Sequence, residues 1–370
     1  MNAAPERVLT IESLAHDGRG VARADGKAVF VAGALPGERV TARPVKRHRR
    51  FDEAVVVDVL EAAPGRVAPR CPHFGICGGC ALQHLDEAHQ LELKRAQVEE
   101  QLVRIGRVTP ERWLPPLGGA AWAYRRRARL GVKWVPKKGR VLVGFRERAT
   151  PYIAEISSCA VLAPPVGDLV APLAALVERL SIRDRLPQIE VAVAESATAL
   201  VLRVLDPPSP ADLAELRAFA ALHGVEFHLQ PGGYDTVAPL DPPGTPLEYS
   251  LPDFDLRLTF EPTDFVQVNA GINRQAVAQA VRLLDPQPDD LVLDLFCGLG
   301  NFTLPLARRA AQVVGVEGEA GLVARARANA ARNGFSNAAF MGPARNRFRS
   351  WSVLKSKLDA FSASPSNARK

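Results

Sequence analysis

The 370-residue sequence contains no uninterrupted hydrophobic run of the ~18 residues that a membrane-spanning helix needs. Pro5 and Glu6 also interrupt the apolar stretch that a secretory signal peptide would require at the N-terminus. No internal repeat or low-complexity tract is evident. We therefore expect a cytoplasmic monomer without a membrane partner, long enough for roughly two or three domains.

Cysteine is scarce, and three of the five cysteines lie within ten residues. The stretch CPHFGICGGC holds Cys71, Cys77 and Cys80, while Cys159 and Cys297 stand alone. Disulfides are rare in a reducing cytoplasm, so the C-x5-C-x2-C run is interpreted as a metal-ligand set. Tetrahedral zinc and a cubane iron–sulfur cluster both usually take four ligands. Cys159, after a strand-like stretch, is the candidate fourth ligand, although spacing alone equally allows a small buried apolar residue.

The net charge of +7 favours a polyanionic partner such as nucleic acid. Residues 6 to 60 show five short strand patterns separated by Gly and Pro turns, which indicates a small OB-like barrel. The loop before the last strand holds Lys46, Arg47, Arg49 and Arg50 beside Phe51. On such a barrel these residues are typical of RNA binding, and the alternative is a solvated turn.

The middle of the chain gives weaker signals. Residues 86 to 106 predict one amphipathic helix whose apolar face includes Val98 and Ile105. Residues 122 to 260 mix strand patterns with a second basic cluster, in which Arg125 and Arg126 could contact RNA or support the fold. The proline-rich passage 206 to 246 is predicted to be poor in helix.

From about residue 272 the pattern becomes a parallel α/β alternation typical of a doubly wound sheet. The stretch DLFCGLGNFTLPLA places Gly298 and Gly300 where a strand turns into a helix, so a ligand can approach the backbone. Glu317 ends the next strand, where an acid can accept hydrogen bonds from ribose hydroxyls. The third glycine of a dinucleotide fingerprint is replaced by Thr303. This disfavours NAD and favours S-adenosylmethionine.

Three motifs in order resemble those of the bacterial 23S rRNA (uracil-C5)-methyltransferases that carry a TRAM domain and a [4Fe-4S] cluster. They are the cysteine run with a distant fourth cysteine, FVQVNAGINRQAV and DLFCGLGNFTLPLA. The resemblance covers residues 6 to about 340. It implies that Cys71, Cys77, Cys80 and Cys159 bind the cluster, with zinc as the rival metal. It also implies that Gln267, Phe296, Asn301 and Glu317 line a cofactor site. The glycine loop adds Asp294, Gly298 and Gly300 to the expected site residues.

The resulting expectation is a multidomain α+β and α/β protein. It comprises a TRAM OB-like barrel (1–62), a central α+β domain with the iron–sulfur cluster (63–265), and the first half of a Rossmann-like methyltransferase domain (266–340). The expected reaction moves a methyl group from S-adenosylmethionine to C5 of a uridine in 23S rRNA. Radical methylthiotransferases also carry TRAM domains, but their cluster motif has a shorter first gap.

Two features depart from the family pattern. The family's nucleophilic cysteine and its base belong to later motifs, such as S-C-N-P, that this sequence does not contain, so no catalytic residue is assigned. Residues 341 to 370 hold seven Lys or Arg, six Ser and one acid, a pattern typical of a basic disordered tail. We interpret this as a frameshift or premature stop after Phe340. Cys297 belongs to the cofactor loop and is not expected to replace the nucleophile. The alternative function is therefore an RNA-binding, cluster-bearing protein without catalysis.

Overall fold

The structure is a computed structural model in which residues 5–342 are described. The chain divides into two compact units with interleaved ranges. The first contains the described residues up to Ala121 together with 131–160 and 170–174. The second contains 122–130, 161–169 and the described residues from Ala175 onward. The predicted tail begins at Met341, which the structure places at the end of a strand, and its residues 343–370 lie outside the described residues. No helix within 5–342 is both long and apolar enough to span a bilayer.

The first unit begins with a six-stranded sheet that contains all five predicted strands. Its strands are β1 (Arg7–Thr10), β2 (Ser13–Leu14), β3 (Gly20–Ala24), β4 (Lys27–Ala32), β5 (Arg39–Arg47) and β6 (Phe51–Glu61). The order is β1-β5-β6-β4-β3-β2, with β4 and β6 parallel and the other pairs antiparallel. Alternating residues such as Val29, Val31 and Val40 point into one core, as period-two strands require. Closure of this sheet into an OB-like barrel stays a prediction.

The predicted central helix is present, but its apolar face is not buried. Helix α1 (Glu87–Gln101) begins at Asp86, whose carboxylate accepts the backbone N–H of His89 at 3.0 Å. A π-helical turn, Leu102–Gly106, ends it. Within the described residues no α1 side chain is buried, and Val98 and Ile105 are 49% and 80% exposed. The predicted helix is therefore confirmed, but its apolar residues are not buried, because spacing predicts which residues share a face but not what covers it.

The middle region supplies strands to both units and one helix that the sequence pattern missed. Strands β7 (Arg127–Val135) and β8 (Arg140–Gly144) form a hairpin, followed by α2 (Val170–Arg179), β9 (Gln188–Val193) and β10 (Thr198–Arg203). Helix α3 (Pro210–His223) lies in the passage predicted to be poor in helix, and β11 (Glu226–Gln230) and β12 (Ala238–Pro239) follow. Ser209 and Asp212 form a reciprocal capping box at the start of α3. A proline at the first helical position is compatible with a helix start, so the proline content of this passage did not indicate that helix was scarce there.

The remaining elements form the α/β part of the second unit. They are the hairpin β13 (Leu247–Leu251) and β14 (Leu256–Phe260), α4 (Ala270–Leu284), β15 (Leu291–Leu295), α5 (Thr303–Ala307), β16 (Gln312–Val316), α6 (Ala320–Arg332) and β17 (Ala338–Met341). Strands β15, β16 and β17 are parallel and adjacent in that order. The hairpin packs into the same core as α4, α5 and α6 through residues such as Leu258, Val277 and Ala326. This Rossmann-like core confirms the predicted α/β alternation, while the domain boundaries stay predictions.

Candidate functional site

The glycine loop between β15 and α5 is a tight turn at the carboxyl end of two parallel strands. The Cys297 N–H donates to the Val316 carbonyl at 3.1 Å, and the Gly300 N–H donates to the Cys297 carbonyl at 3.0 Å. Gly298 and Gly300 have φ values of +55° and +92°. A Cβ atom on Gly300 would lie 3.2 Å from Cγ of Leu304. Glycine is therefore required at position 300 by both conformation and space.

Phe296 opens this loop in an unusual conformation. Its φ is +59°, a left-handed value that costs a bulky residue about 1–3 kcal/mol. The side chain is also 90% exposed, so no packing in the described part of the chain accounts for that conformation. Backbone strain combined with an exposed aromatic ring is characteristic of a ligand site.

Glu317 connects the ends of β15 and β16. Oε2 accepts the Gly298 N–H at 3.0 Å, while Oε1 accepts the N–H groups of Gly318 at 2.6 Å and Glu319 at 3.1 Å. A carboxylate offers about four acceptor positions, so Oε2 retains capacity for one further donor. The side chain lies at the strand ends, where open α/β sheets bind ligands.

Asn301 is held by two side chains that lie before β15 in the sequence. Its Oδ1 accepts from the Tyr249 hydroxyl at 3.1 Å and from Asn273 Nδ2 at 3.0 Å, and its Nδ2 donates to Asn273 Oδ1 at 2.9 Å. Asn329 supports the same loop from α6. It is fully buried, donates to the Leu299 carbonyl at 3.3 Å and exchanges hydrogen bonds with Thr259. Sequence reasoning assigned no role to Tyr249, Asn273 or Asn329. Tyr249 and Asn329 lie outside the three motifs, and Asn273 lies within FVQVNAGINRQAV, which does not show that its side chain meets Asn301.

Asp294 and Cys297 have structural surroundings. Asp294 accepts the Thr303 hydroxyl at 2.6 Å, which joins the end of β15 to the start of α5, and burial raises the pKa of its carboxyl. Cys297 is 5% exposed. Burial, followed by the charges of Asp294 and Glu317, raises the pKa of its thiol to about 12. A thiol with that pKa is almost entirely protonated at neutral pH, which disfavours Cys297 as a nucleophile.

Gln267 lies in the exposed segment that leads into α4. The segment is anchored on one side by buried Asp264, which accepts the Glu261 N–H at 2.8 Å and pairs with Arg325. On the other side, the Asn269 side chain accepts the Ile272 N–H at 3.0 Å and caps α4. The Gln267 side chain itself is exposed between these two anchors.

Cys71, Cys77, Cys80 and Cys159 lie together in the first unit although 79 residues separate the third from the fourth. Backbone hydrogen bonds join the cysteine run to residues 146–148. The Gly78 N–H donates to the Arg146 carbonyl at 2.8 Å, and the Arg148 N–H donates to the Ile76 carbonyl at 2.9 Å. Burial, and then the neighbouring thiols of Cys159, Cys80 and Cys71, raise the pKa of the Cys77 thiol.

The surroundings of Cys77 combine apolar side chains with a backbone donor. Cys77 and Cys159 pack against Ala154, Ile156 and Val170. The Gly79 N–H points at Cys77 Sγ from 3.4 Å. Within residues 5–342, no three His, Cys, Asp or Glu side chains are placed so that they could hold a single metal ion.

The first basic cluster lies at the tip of the hairpin β5–β6. Lys46, Arg47, Arg49 and Arg50 are all exposed. The Phe51 ring stacks on His48 with centroids 4.2 Å apart and meets Phe30 edge-on at 5.5 Å. Much of the Phe51 ring is therefore already in contact with neighbouring rings, and the exposed guanidinium and ammonium groups form the accessible surface.

The second basic cluster makes internal contacts. The Arg125 N–H donates to the Val161 carbonyl at 2.9 Å, and its Nε donates to the Arg127 carbonyl at 3.1 Å. Arg126 Nη1 is buried 3.7 Å from a Glu195 carboxylate oxygen. These contacts favour the structural alternative for Arg125 and Arg126 over RNA contact.

Comparison with known proteins identifies similar sequences over most of the chain. The family model described as tRNA (Uracil-5-)-methyltransferase matches residues 248–350, and the TRAM domain model matches residues 6–57. The 23S rRNA (uracil(1939)-C(5))-methyltransferase RlmD of Xanthomonas campestris is 54% identical over 333 residues, 89% of this chain and 75% of that protein. Its counterpart from Alkalilimnicola ehrlichii is 55% identical over 335 residues, 90% of this chain and 75% of that protein.

A solved structure supports the fold. The Pyrococcus abyssi tRNA (uracil-54, C5)-methyltransferase, solved in complex with S-adenosyl-L-homocysteine, superposes with a TM-score of 0.68. The match covers 91% of this chain and 79% of that chain at 19% identity. At that level of identity, the similarity shows a shared fold.

Proposed function

The chain belongs to the family of 23S rRNA (uracil-C5)-methyltransferases, and from this premise we propose that it binds S-adenosylmethionine and transfers the methyl group to C5 of a uridine in 23S rRNA. The observation that carries the proposal is the glycine loop, with Glu317 bonded to its backbone at the carboxyl ends of β15 and β16. That arrangement suits an adenosine-containing ligand.

Within this proposal, Glu317 and Asn301 orient the cofactor. Glu317 uses its remaining acceptor capacity for a ribose hydroxyl, and a second hydroxyl would replace one of its backbone donors. The exposed Phe296 ring would contact the cofactor, and Gly298 and Gly300 would let the cofactor approach the backbone. Gln267, in the segment before α4, contributes a polar contact. Asp294 supports the loop by accepting a hydrogen bond from the Thr303 hydroxyl.

We further propose that Cys71, Cys77, Cys80 and Cys159 hold a [4Fe-4S] cluster, with zinc as the rival. The proposal is supported by the thiols of Cys71, Cys80 and Cys159 near Cys77 and by the apolar residues behind Cys77 and Cys159, while the described side chains are not placed to hold a single metal ion. The Gly79 N–H supplies a hydrogen bond to sulfur of the kind that tunes cluster sites. When bound, the cluster supplies cross-links between distant chain segments. The protein's own contribution is the backbone pairing that brings Cys77 beside Cys159.

RNA contact is assigned to the hairpin tip of β5 and β6 on the TRAM domain. Its exposed Lys46, Arg47, Arg49 and Arg50 suit a phosphate backbone.

Methylation at C5 of uracil requires a nucleophile that adds to C6, because C5 by itself is poorly nucleophilic. A base then removes the C5 proton so that the nucleophile can leave. Among the described residues, Cys297 is the one thiol outside the proposed cluster. Its burial disfavours it as the nucleophile. The second candidate function is RNA binding by a cluster-bearing protein without catalysis.

One assay separates the two candidates. Purified chain is incubated with methyl-labelled S-adenosylmethionine and unmodified 23S rRNA, with bulk tRNA as the control substrate and the Xanthomonas campestris relative as the positive control. Label in 23S rRNA alone supports the methyltransferase. Binding of 23S rRNA without label, while the relative is active, supports the non-catalytic candidate and refutes methyl transfer by this chain.

A further inference from the structure

The imidazole ring of His48 lies in the turn that joins β5 to β6, among the four exposed cations of the hairpin tip. It stacks on the Phe51 ring with centroids 4.2 Å apart and planes inclined by 24°. The His48 N–H also donates to the Phe51 carbonyl at 3.0 Å, which closes the turn. Phe51 meets a second ring, Phe30, edge-on at 5.5 Å. Of the two stacked rings, Phe51 is therefore the inner one and His48 the outer one.

Polar contacts fix His48 in this place. Its Nε2 lies 2.9 Å from Oε1 of Glu53, a hydrogen-bond distance, and Glu53 follows Phe51 on the same strand. The Lys27 Nζ donates to the His48 carbonyl at 2.9 Å and lies 3.5 Å from a carboxylate oxygen of Asp52. The ring is thus held on one face, at one edge and through its own backbone. A side chain held in this way has little conformational freedom left to lose when a ligand binds.

Part of the His48 ring remains open to a ligand. Its side chain is 29% exposed, and within the described residues no hydrogen-bond partner is found for Nδ1. Phe51 covers one face and Glu53 lies at one edge, so the opposite face and the Nδ1 edge are left for a ligand. Exposed Arg49 and Arg50 follow directly in the chain.

We propose that His48 is a base-stacking residue, on whose open face one base of single-stranded RNA lies while Arg49 and Arg50 contact the adjoining phosphates. The inference rests on the proposed RNA contact of this hairpin tip and adds a contact of a different kind to it. Proteins commonly bind single strands with cations that follow the backbone and an aromatic ring on which a base stacks. The aromatic contact then comes from His48 rather than from Phe51, which is already enclosed by two other rings.

The test measures RNA binding and stacking by the full chain, without turnover. Short oligouridylates that carry one 2-aminopurine at successive positions are titrated at several salt concentrations, since the fluorescence of this base falls when it stacks on a ring. The variants are His48→Ala and His48→Phe. The matched control is His223→Ala, because His223 also packs against a phenylalanine with centroids 4.2 Å apart, but on α3 in the second unit. Thermal melting accompanies each titration.

His48→Ala is expected to weaken binding about five- to a hundredfold, the contribution of one stacked base, and to abolish the quenching. The slope of log K against log salt should stay unchanged, because stacking releases no counterions. His48→Phe keeps an aromatic face on Phe51, so it should retain the quenching and bind within about threefold of the unmodified chain. His223→Ala should behave as the unmodified chain does.

The outcomes that overturn the proposal differ from one another. If the unmodified chain binds neither the oligonucleotides nor a 23S rRNA fragment, the proposed RNA contact fails and this inference fails with it. If replacing Arg49 and Arg50 by alanine weakens binding while His48→Ala binds and quenches as before, the RNA contact stands and the stacking assignment is wrong. A slope reduced by about 0.7 in His48→Ala with the quenching retained would make His48 a phosphate contact instead. An equal loss in His223→Ala would show that the effect is not specific to the hairpin tip.

Discussion

The buried ion pair between Glu38 and Arg66 gives a sharp test of what stabilises the first unit. Glu38 is fully buried and accepts the N–H of Leu35 at 2.8 Å and of Ala63 at 3.3 Å. Arg66 bonds both carboxylate oxygens and also donates to the Gly33 carbonyl at 2.7 Å. This arrangement ties the end of the TRAM sheet to the segment that leads into the cysteine run.

The substitution Arg66→Met removes the cation and leaves the carboxylate buried without it. Breaking a buried pair from one side costs about 3–5 kcal/mol. For a unit of roughly 150 residues, about 2–4 °C are lost for each kcal/mol, so the melting temperature should fall by roughly 6–20 °C. The matched control is Arg39→Met, since Arg39 and Glu61 form a pair in the same sheet whose side chains are 48% and 66% exposed. An exposed pair contributes about 0–1 kcal/mol.

The pH dependence has a definite sign. Burial raises the pKa of Glu38, but the Arg66 side chain and the N–H groups of Leu35 and Ala63 outweigh it, so the pKa is lowered from 4.5. The stabilisation is therefore fully present above about pH 4.5 and is lost as pH falls through the folded-state pKa. In Arg66→Met the cation is gone and burial raises the pKa of the Glu38 carboxyl, so this carboxyl takes up a proton at a higher pH than it does in the unmodified chain. The difference in melting temperature between the two proteins should therefore shrink as the pH is lowered from 7 to 4.

Thermal unfolding followed by circular dichroism at both pH values measures these differences. Equal losses for Arg66→Met and Arg39→Met at pH 7 would refute the reasoning, because they would show that burial of the pair contributes nothing beyond a surface contact.

Three further predictions concern the proposed sites. Gly300→Ala should abolish S-adenosylhomocysteine binding in titration calorimetry and lower the melting temperature, because φ is +92° at this position and a Cβ atom would be crowded. The control Gly271→Ala, within helix α4, should bind normally. Normal binding by Gly300→Ala would contradict the loop assignment. Replacing Arg49 and Arg50 together by alanine should weaken binding to an rRNA fragment and reduce the slope of log K against log salt by roughly 1.5–2 in filter binding; an unchanged slope would remove these residues from the interface. Cys77→Ser should remove the visible absorption and iron of anaerobically purified protein while leaving S-adenosylhomocysteine affinity unchanged; a colourless, zinc-loaded parent protein would show that the cluster assignment is wrong.

Local patterns in the sequence predicted much of the fold. The five strands of the first sheet, the helix and strand alternation after residue 272 and the glycine turn were all visible from spacing. These features depend on neighbouring residues, so the period of the apolar positions and the chemistry of Gly are enough to predict them. Helix α3 was missed although Ser209 and Asp212 carried its capping signal, because proline content was given more weight than the cap.

The sequence by itself determined most of the local elements, the glycine loop that a ligand can approach and, through resemblance, the family. Only the tertiary structure decided which distant side chains meet. It brought Cys159 beside Cys77, buried Cys297, directed Arg126 towards Glu195 and joined Asn301 to Asn273 and Tyr249. It also left Val98 on helix α1 half exposed. The physical reason is that periodicity specifies which residues share a face, whereas burial and pairing depend on contacts between segments far apart in the chain, for which one sequence carries no local signal.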